Sequence, residues 1–347
     1  MNIHIPLQHL FTCLALVQTA SAQWVVQPTE AQVELRGLSV VSANVAWASG
    51  QRGTVLRTTD GGAHWSVTAV PDAARLDLRS IAATSAATAF AMSIGDSSRI
   101  FRTTDGGRTW SLRFVGTRKG SFFDAIRFWD ARHGIALSDP VDGHFLLVTT
   151  SDGGDTWHEV PTAHMPLALA NEGAFAASGS CLAVHGQNDV WFVTGGAAAA
   201  RVFHSHDRGR HWTVSDSPLR AGSQSEGIFS VAFRDARHGV VAGGDYQKPT
   251  LGGRNLARTS DGGRTWTLVD SASAPPGFRS AVAFVPGTAG RTLVTAGLSG
   301  TDVSRDGGLS WMAMDTLGYN SVQFGGRTGY AVGPKGRVAK AEFPPTR

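Results

Sequence analysis

The sequence predicts an all-β fold, a seven-bladed β-propeller, from a turn phrase that occurs six times, a strand phrase that occurs seven times, and a composition low in charge and high in glycine. The turn phrase runs Ser or Thr, any residue, Asp, usually Gly, Gly, any residue, usually Thr, Ser or His, and then Trp. Its copies are TTDGGAHW ending at Trp65, TTDGGRTW at Trp110, TSDGGDTW at Trp157, SHDRGRHW at Trp212, TSDGGRTW at Trp266 and SRDGGLSW at Trp311. Their aspartates are spaced by 45, 47, 55, 54 and 45 residues, a period that fits one four-stranded blade per copy. Charged residues make up 17% of the chain and glycines number 42 of 347, as short strands joined by tight turns require. Length alone would suggest two domains, but an unbroken repeat makes a single one.

Within the phrase, Asp-Gly and Gly-Gly supply the positive φ values of a tight turn, and the Asp carboxylate accepts hydrogen bonds from the N–H groups just beyond it. The Trp then opens the outgoing strand with a large apolar surface. Asp60, Asp105, Asp152, Asp207, Asp261 and Asp306 are therefore read as structural staples. Calcium is excluded at these turns, because each copy brings one regular carboxylate where the ion takes six to eight oxygens.

The strand phrase appears as VAWASG (45–50), AFAMS (89–93), HGIALS (133–138), VWFVTG (190–195), HGVVAGG (238–244), TLVTAG (292–297) and TGYAVG (328–333). Seven such strands imply seven blades. The seventh lacks a turn phrase of its own, and Gln23, Trp24, Val25 and Val26 stand ready to supply its outer strand. Pairing the two ends of the chain closes the ring and removes an exposed edge. The propeller is expected over residues 23–343, with a short tail at 344–347.

The turn phrase resembles the Asp-box, or BNR, repeat, and the fuller pattern around it resembles the photosystem II assembly-factor-like propellers related to Ycf48 and its plant counterpart. That resemblance covers nearly the whole mature chain. It implies an exported, noncatalytic propeller that binds a partner or assists assembly of a complex. Asp-boxes also occur in sialidases, so the alternative is a sialidase-like glycoside hydrolase. Such an enzyme needs an arginine cluster, an acid Asp and a Tyr activated by Glu. Arg36, Arg79 and Arg279, Asp139, Tyr246 or Tyr319, and Glu226 are the residues available for those roles. Against it stand the missing F/Y-R-I-P phrase of that family, seven blades where sialidases often have six, and a total of three tyrosines.

At the start of the chain, LFTCLALVQTASAQ joins a short apolar run to Ala20, Ser21 and Ala22, which read as a cleavage site before Gln23. Residues 1–22 are expected to be a signal peptide and the protein to be periplasmic or secreted. The apolar run is too short to span a bilayer. Cleavage leaves Cys181 as the one cysteine, which excludes an intramolecular disulfide, and its setting in SCLAV marks it as a small buried hydrophobe. Formal charge is +4 with no run of Lys or Arg, which argues against nucleic acid and reads as solvation or affinity for an acidic partner; the two functional readings make that partner a protein or a glycan. A monomer is expected.

In a propeller the box turns share one face with the turns that join first to second strands. The long connections at 138–145, 161–180, 215–227 and 244–255 fall on the opposite face, where binding residues sit over a rigid scaffold. The mouths of the inner strands there carry Arg36, Arg79, Asp124, Glu172, Glu226, Arg279, Tyr319 and Asn320. Insertions add Asp139, Asp142, His144, Asp245, Tyr246, Lys248 and Arg254. Glu172 in NEGAF and Glu226 in SEGIF stand out, because each precedes a Gly and then a Phe. No cofactor is expected, for there is no phosphate loop, nucleotide fingerprint, G-x-S-x-G or H-E-x-x-H phrase. His133 and His238 read as turn residues. His204 and His206 form H-x-H on a strand with no third ligand nearby in sequence, so no metal is expected either.

Overall fold

The computed structural model describes residues 22–95 and 97–344, so the expected signal peptide, Ala22 apart, and most of the C-terminal tail lie outside the described residues. Seven four-stranded antiparallel sheets are arranged as blades. From the axis outward, blade 1 is Leu35–Val40, Ala46–Gly50, Thr54–Thr58 and Ser66–Ala69; blade 2 is Ser80–Ala83, Ala89–Met92, Arg99–Thr103 and Ser111–Val115. Blade 3 is Phe123–Phe128, Gly134–Val141, His144–Thr150 and His158–Glu159; blade 4 is Leu182–His185, Asp189–Val193, Ala200–Ser205 and Thr213–Ser217. Blade 5 is Glu226–Phe233, Gly239–Asp245, Leu256–Thr259 and Thr267–Leu268; blade 6 is Ala281–Phe284, Leu293–Gly297, Gly300–Ser304 and Met312–Asp315. Blade 7 is Ser321–Gly325, Thr328–Val332 and Val338–Glu342, completed by Val25–Gln27 from the other end of the chain.

That closure matches the sequence reading. Val25 pairs with Lys340, Val26 with Ala339 and Gln27 with Val338, antiparallel. Trp24 is buried beside it, donating Nε1–H to the Thr301 hydroxyl at 3.0 Å and packing on Tyr319 and Phe343. Trp24 is thus anchored in the core between blades 6 and 7.

Each box works as its residue types require. In blade 2 the Thr103 hydroxyl donates to Asp105 at 2.9 Å and accepts from the Gly107 N–H at 2.9 Å, while Asp105 accepts from the Thr109 N–H and hydroxyl. The box tryptophan then packs against the preceding blade. Trp110 meets Trp47 edge-on with centroids 6.4 Å apart, Trp65 meets Tyr330 at 5.9 Å and Trp157 meets Phe90 at 6.5 Å. The phrase therefore fixes a turn and joins neighbouring blades, which is why it recurs in six of the seven.

The same hydrogen bonds set a pH limit. The bonds from Thr109 hold Asp105 down to about 2, and those from His64 hold Asp60 at about 2. A carboxylate whose value falls on folding contributes stability that is complete above its ordinary value near 4 and is lost as pH drops through the folded value. Acid unfolding followed by far-UV circular dichroism is therefore expected between about pH 4 and pH 2, because the boxes titrate together. A midpoint above pH 5 would mean that other groups set the limit.

Two long connections depart from expectation. The 138–145 stretch is no loop: the second and third strands of blade 3 run on to a tight turn at Asp142 and Gly143, with Val141 paired to His144. The larger difference is at 161–180. After the 3₁₀ turn Thr162–His164 this connection passes inward and its last residues, 174–180, cross the central channel. There Ala177 O accepts from Arg36, the Ser178 hydroxyl donates to Ser280 O, the Ser180 hydroxyl donates to that of Ser230, and Ser321 donates to Ser178 O. Gly179, at φ +67, lies so close to Ser80 that a Cβ would sit 2.8 Å from its hydroxyl oxygen. One segment is thus tied to the inner strands of five other blades. The channel is divided in two.

A candidate pocket on the face away from the boxes

The channel-crossing segment 174–180, a plug, forms the floor of a pocket of about 340 Å³ at the entrances of the inner strands, on the face opposite the boxes. Its walls are aromatic and its rim is basic. Phe175 of the plug stacks on Phe229 with centroids 3.8 Å apart, Phe278 meets Phe229 edge-on at 4.7 Å, and Tyr246, 43% exposed, leans over the pair at 6.0–6.4 Å. Arg36, Arg79 and Asn320 complete the lining with Phe122.

The two arginines are partly compensated. Arg36 lies 3.4 Å from Glu34, and Arg79 donates to Asp77 at 2.8 Å. Burial, and next the charge of Arg79, lower the pKa of Arg36. Two guanidiniums in so apolar a cup attract an anion. Asn320 is spent on the scaffold, donating to Glu34 and to Leu35 O.

Of the residues predicted for this site, Arg36, Arg79, Tyr246 and Asn320 line the pocket, and the rest do not. Arg279 is 2% exposed and bound to Asp302 at 2.6 Å, with Phe278 O and Ser299 as further acceptors, so the expectation that it stands at a strand mouth free to bind is corrected. Tyr319 is fully buried under Trp24, and burial raises its hydroxyl to about 12. Glu172 is buried in an ion pair with Arg201 and accepts from Thr194 and the Leu169 N–H, which ties down the start of the plug. Glu226 faces Arg220 at 3.9 Å. The NEGAF and SEGIF phrases were signals of a different kind. Glu172 is spent on the Arg201 ion pair, while Phe175 and Phe229 stack in the pocket.

Asp124 and Asp139 lie behind the pocket wall. Asp124 is fully buried and neither of its carboxylate oxygens has a hydrogen-bond partner. Burial, reinforced by Asp139, raises its pKa well above the ordinary range. Burial also lifts Asp139 to about 6, against the hydrogen bond it accepts from the Ala174 N–H at 2.8 Å. A carboxyl kept protonated only when folded makes stability fall as pH rises above the unfolded value. Replacing Asp124 with Asn should therefore stabilise the protein near neutral pH, by about 1–3 kcal/mol. The gain should shrink toward pH 4. Melting temperatures of both forms at pH 4.5 and 7.5 check this, and an equal shift at both would refute the protonated carboxyl.

On the other side of the plug the channel opens toward the box face as a funnel of about 790 Å³, lined by Leu182, Val184, Phe233, Phe284 and Arg127. Cys181 sits fully buried beneath it, and burial raises its thiol far from the reactive range.

Fold and boxes define a closed seven-bladed Asp-box propeller with a plugged channel. Residues 16–112, under a third of the chain, match the family described as photosynthesis system II assembly factor YCF48. The chain is similar across most of its length to the structure of YCF48 bound to D1 peptide, at 16% identity and TM-score 0.64, covering 93% of this chain and 96% of that one. It is also similar to YCF48 from Cyanidioschyzon merolae, at 19% identity and TM-score 0.65, covering 92% and 99%. A GH74 xyloglucanase from Xanthomonas campestris matches at 17% identity and TM-score 0.62, covering 92% of this chain but 53% of the enzyme. These likenesses agree on the fold. No curated protein matches the chain.

Proposed function

We propose that the protein is an exported, noncatalytic propeller that binds a segment of another protein in the plugged pocket, with an apolar side chain among Phe175, Phe229 and Phe278 and an acidic group against Arg36 and Arg79. The observation that carries this reading is the pocket itself, an aromatic cup with a rigid floor and a basic rim. Buried aromatic anchors beside arginine are the usual composition of a binding hot spot. A YCF48 structure of the same fold is described with a D1 peptide, which supports the class of partner. For export, the support is the ASA phrase and its position: a cut before Gln23 leaves Trp24 and the closing strand intact. No helix among the described residues is long and apolar enough to cross a membrane.

The test is capture of a stoichiometric partner from the exported fraction of the native host, followed by titration with the bound segment. N-terminal sequencing of the same preparation should begin at Gln23. Arg79→Gln and Tyr246→Ala should each weaken binding by tenfold or more, about 1.4 kcal/mol, with little change in melting temperature. Undiminished binding by both variants would overturn the pocket assignment. Turnover of a glycoside that depends on Glu226 would favour a hydrolase instead.

A further inference from the structure

A second constellation lies on the box side of blade 4, away from the pocket. Asp189 opens the second strand and His204 lies near the end of the third, with His206 two residues further on. The strand register pairs Val190 with Ser205 and Trp191 with His204, which places position 206 opposite 189 and all three side chains on one face of the sheet. There the Asp189 carboxylate meets His204 Nε2 at 3.2 Å and His206 Nδ1 at 2.6 Å, and one ligand atom from each residue lies within 4.8 Å of the others. The sequence could not offer this third group. It comes from the neighbouring strand, fifteen residues before His204.

The surroundings hold two of the three in place. The His204 ring is buried and stacks on Trp191 with centroids 4.3 Å apart. Trp191 is fixed in turn by its hydrogen bond to Gly262 O in blade 5 and by Phe233. The Asp189 backbone carbonyl accepts from the Trp129 indole of blade 3 at 2.8 Å. His206 is different, with its side chain 64% exposed. Ligand atoms around a tetrahedral ion with bonds of about 2.0–2.1 Å stand about 3.3 Å apart. The Asp189–His204 separation already matches that spacing, and the Asp189–His206 separation is shorter than it by less than an ångström.

We propose that Asp189, His204 and His206 form a binding site for a divalent transition-metal ion of the zinc class. Two imidazoles and one carboxylate are a borderline donor set that suits zinc and its neighbours and disfavours calcium and magnesium. Three protein ligands leave an outward position for water or for a partner's side chain. An ion held there would link the second and third strands of blade 4 on the face opposite the pocket, so the site stands apart from the proposed peptide binding.

The experiment is isothermal titration of the metal-free full chain with zinc chloride, alongside His206→Ala, Asp189→Asn and, as a control, His144→Ala. His206 is exposed, so His206→Ala should fold like the parent. The expected result is one strong site per chain, weakened at least about 10–100-fold in His206→Ala and in Asp189→Asn and unchanged in His144→Ala. Cobalt should report the same site by visible absorption bands that vanish in the two ligand variants. Absence of a stoichiometric site, or zinc affinity unaffected by His206→Ala and Asp189→Asn, would overturn the proposal.

Discussion

Replacing Arg279 with Glu should unfold much of the population under conditions where the parent is stable, with a loss of at least about 3–5 kcal/mol. The guanidinium has almost no contact with water and carries three hydrogen bonds, to Asp302, Phe278 O and Ser299. Asp302 also accepts from Thr295, so a small polar network between blade 6 strands is built around this one cation. Removing the charge leaves Asp302 buried without compensation, and reversing it adds repulsion at the same place. Urea unfolding of Arg279→Glu and Arg79→Gln side by side measures the difference. A loss under about 1 kcal/mol for Arg279→Glu would show that water reaches the pair.

The contrast between these arginines shows where sequence reasoning reached its limit. Blade number, closure and the work of the boxes were all legible, because each depends on local turn chemistry repeated at a regular interval. Arg36, Arg79 and Arg279 looked alike in LRG, LRS and FRS phrases. What separates them is the third strand of the same blade, where an Asp stands at 302 opposite Thr295. The plug was hidden for a related reason. An insertion shows its length in sequence, but its path is decided by hydroxyls and carbonyls from five other blades. Asp189 escaped notice in the same way, since a ligand fifteen residues from its partner becomes a neighbour only across a strand pair.

The glycines of NEGAF and SEGIF connect the fold to the pocket most directly. Gly173 bridges Gly195, and Gly195 bridges Gly227, so three glycine backbones meet between blades 4 and 5 beneath Phe175. At Gly227 φ is +156, and a Cβ would lie 2.4 Å from the Gly195 Cα and 2.9 Å from the Phe175 ring. The first contact is backbone, so it cannot be relieved by turning a side chain. Gly227→Ala should therefore cost about 1–3 kcal/mol for the conformation and about 1–3 kcal/mol more for the overlap. It should also displace Phe175 from its 3.8 Å stack on Phe229 and so reshape the pocket without altering any residue expected to touch a ligand. Urea unfolding reads the first effect, and affinity for the bound segment, measured well below the melting temperature, reads the second. Destabilisation with unchanged affinity would mean that the ligand does not use the Phe175–Phe229 wall, whereas a coupled loss of both ties the binding surface to the glycine contact between the blades.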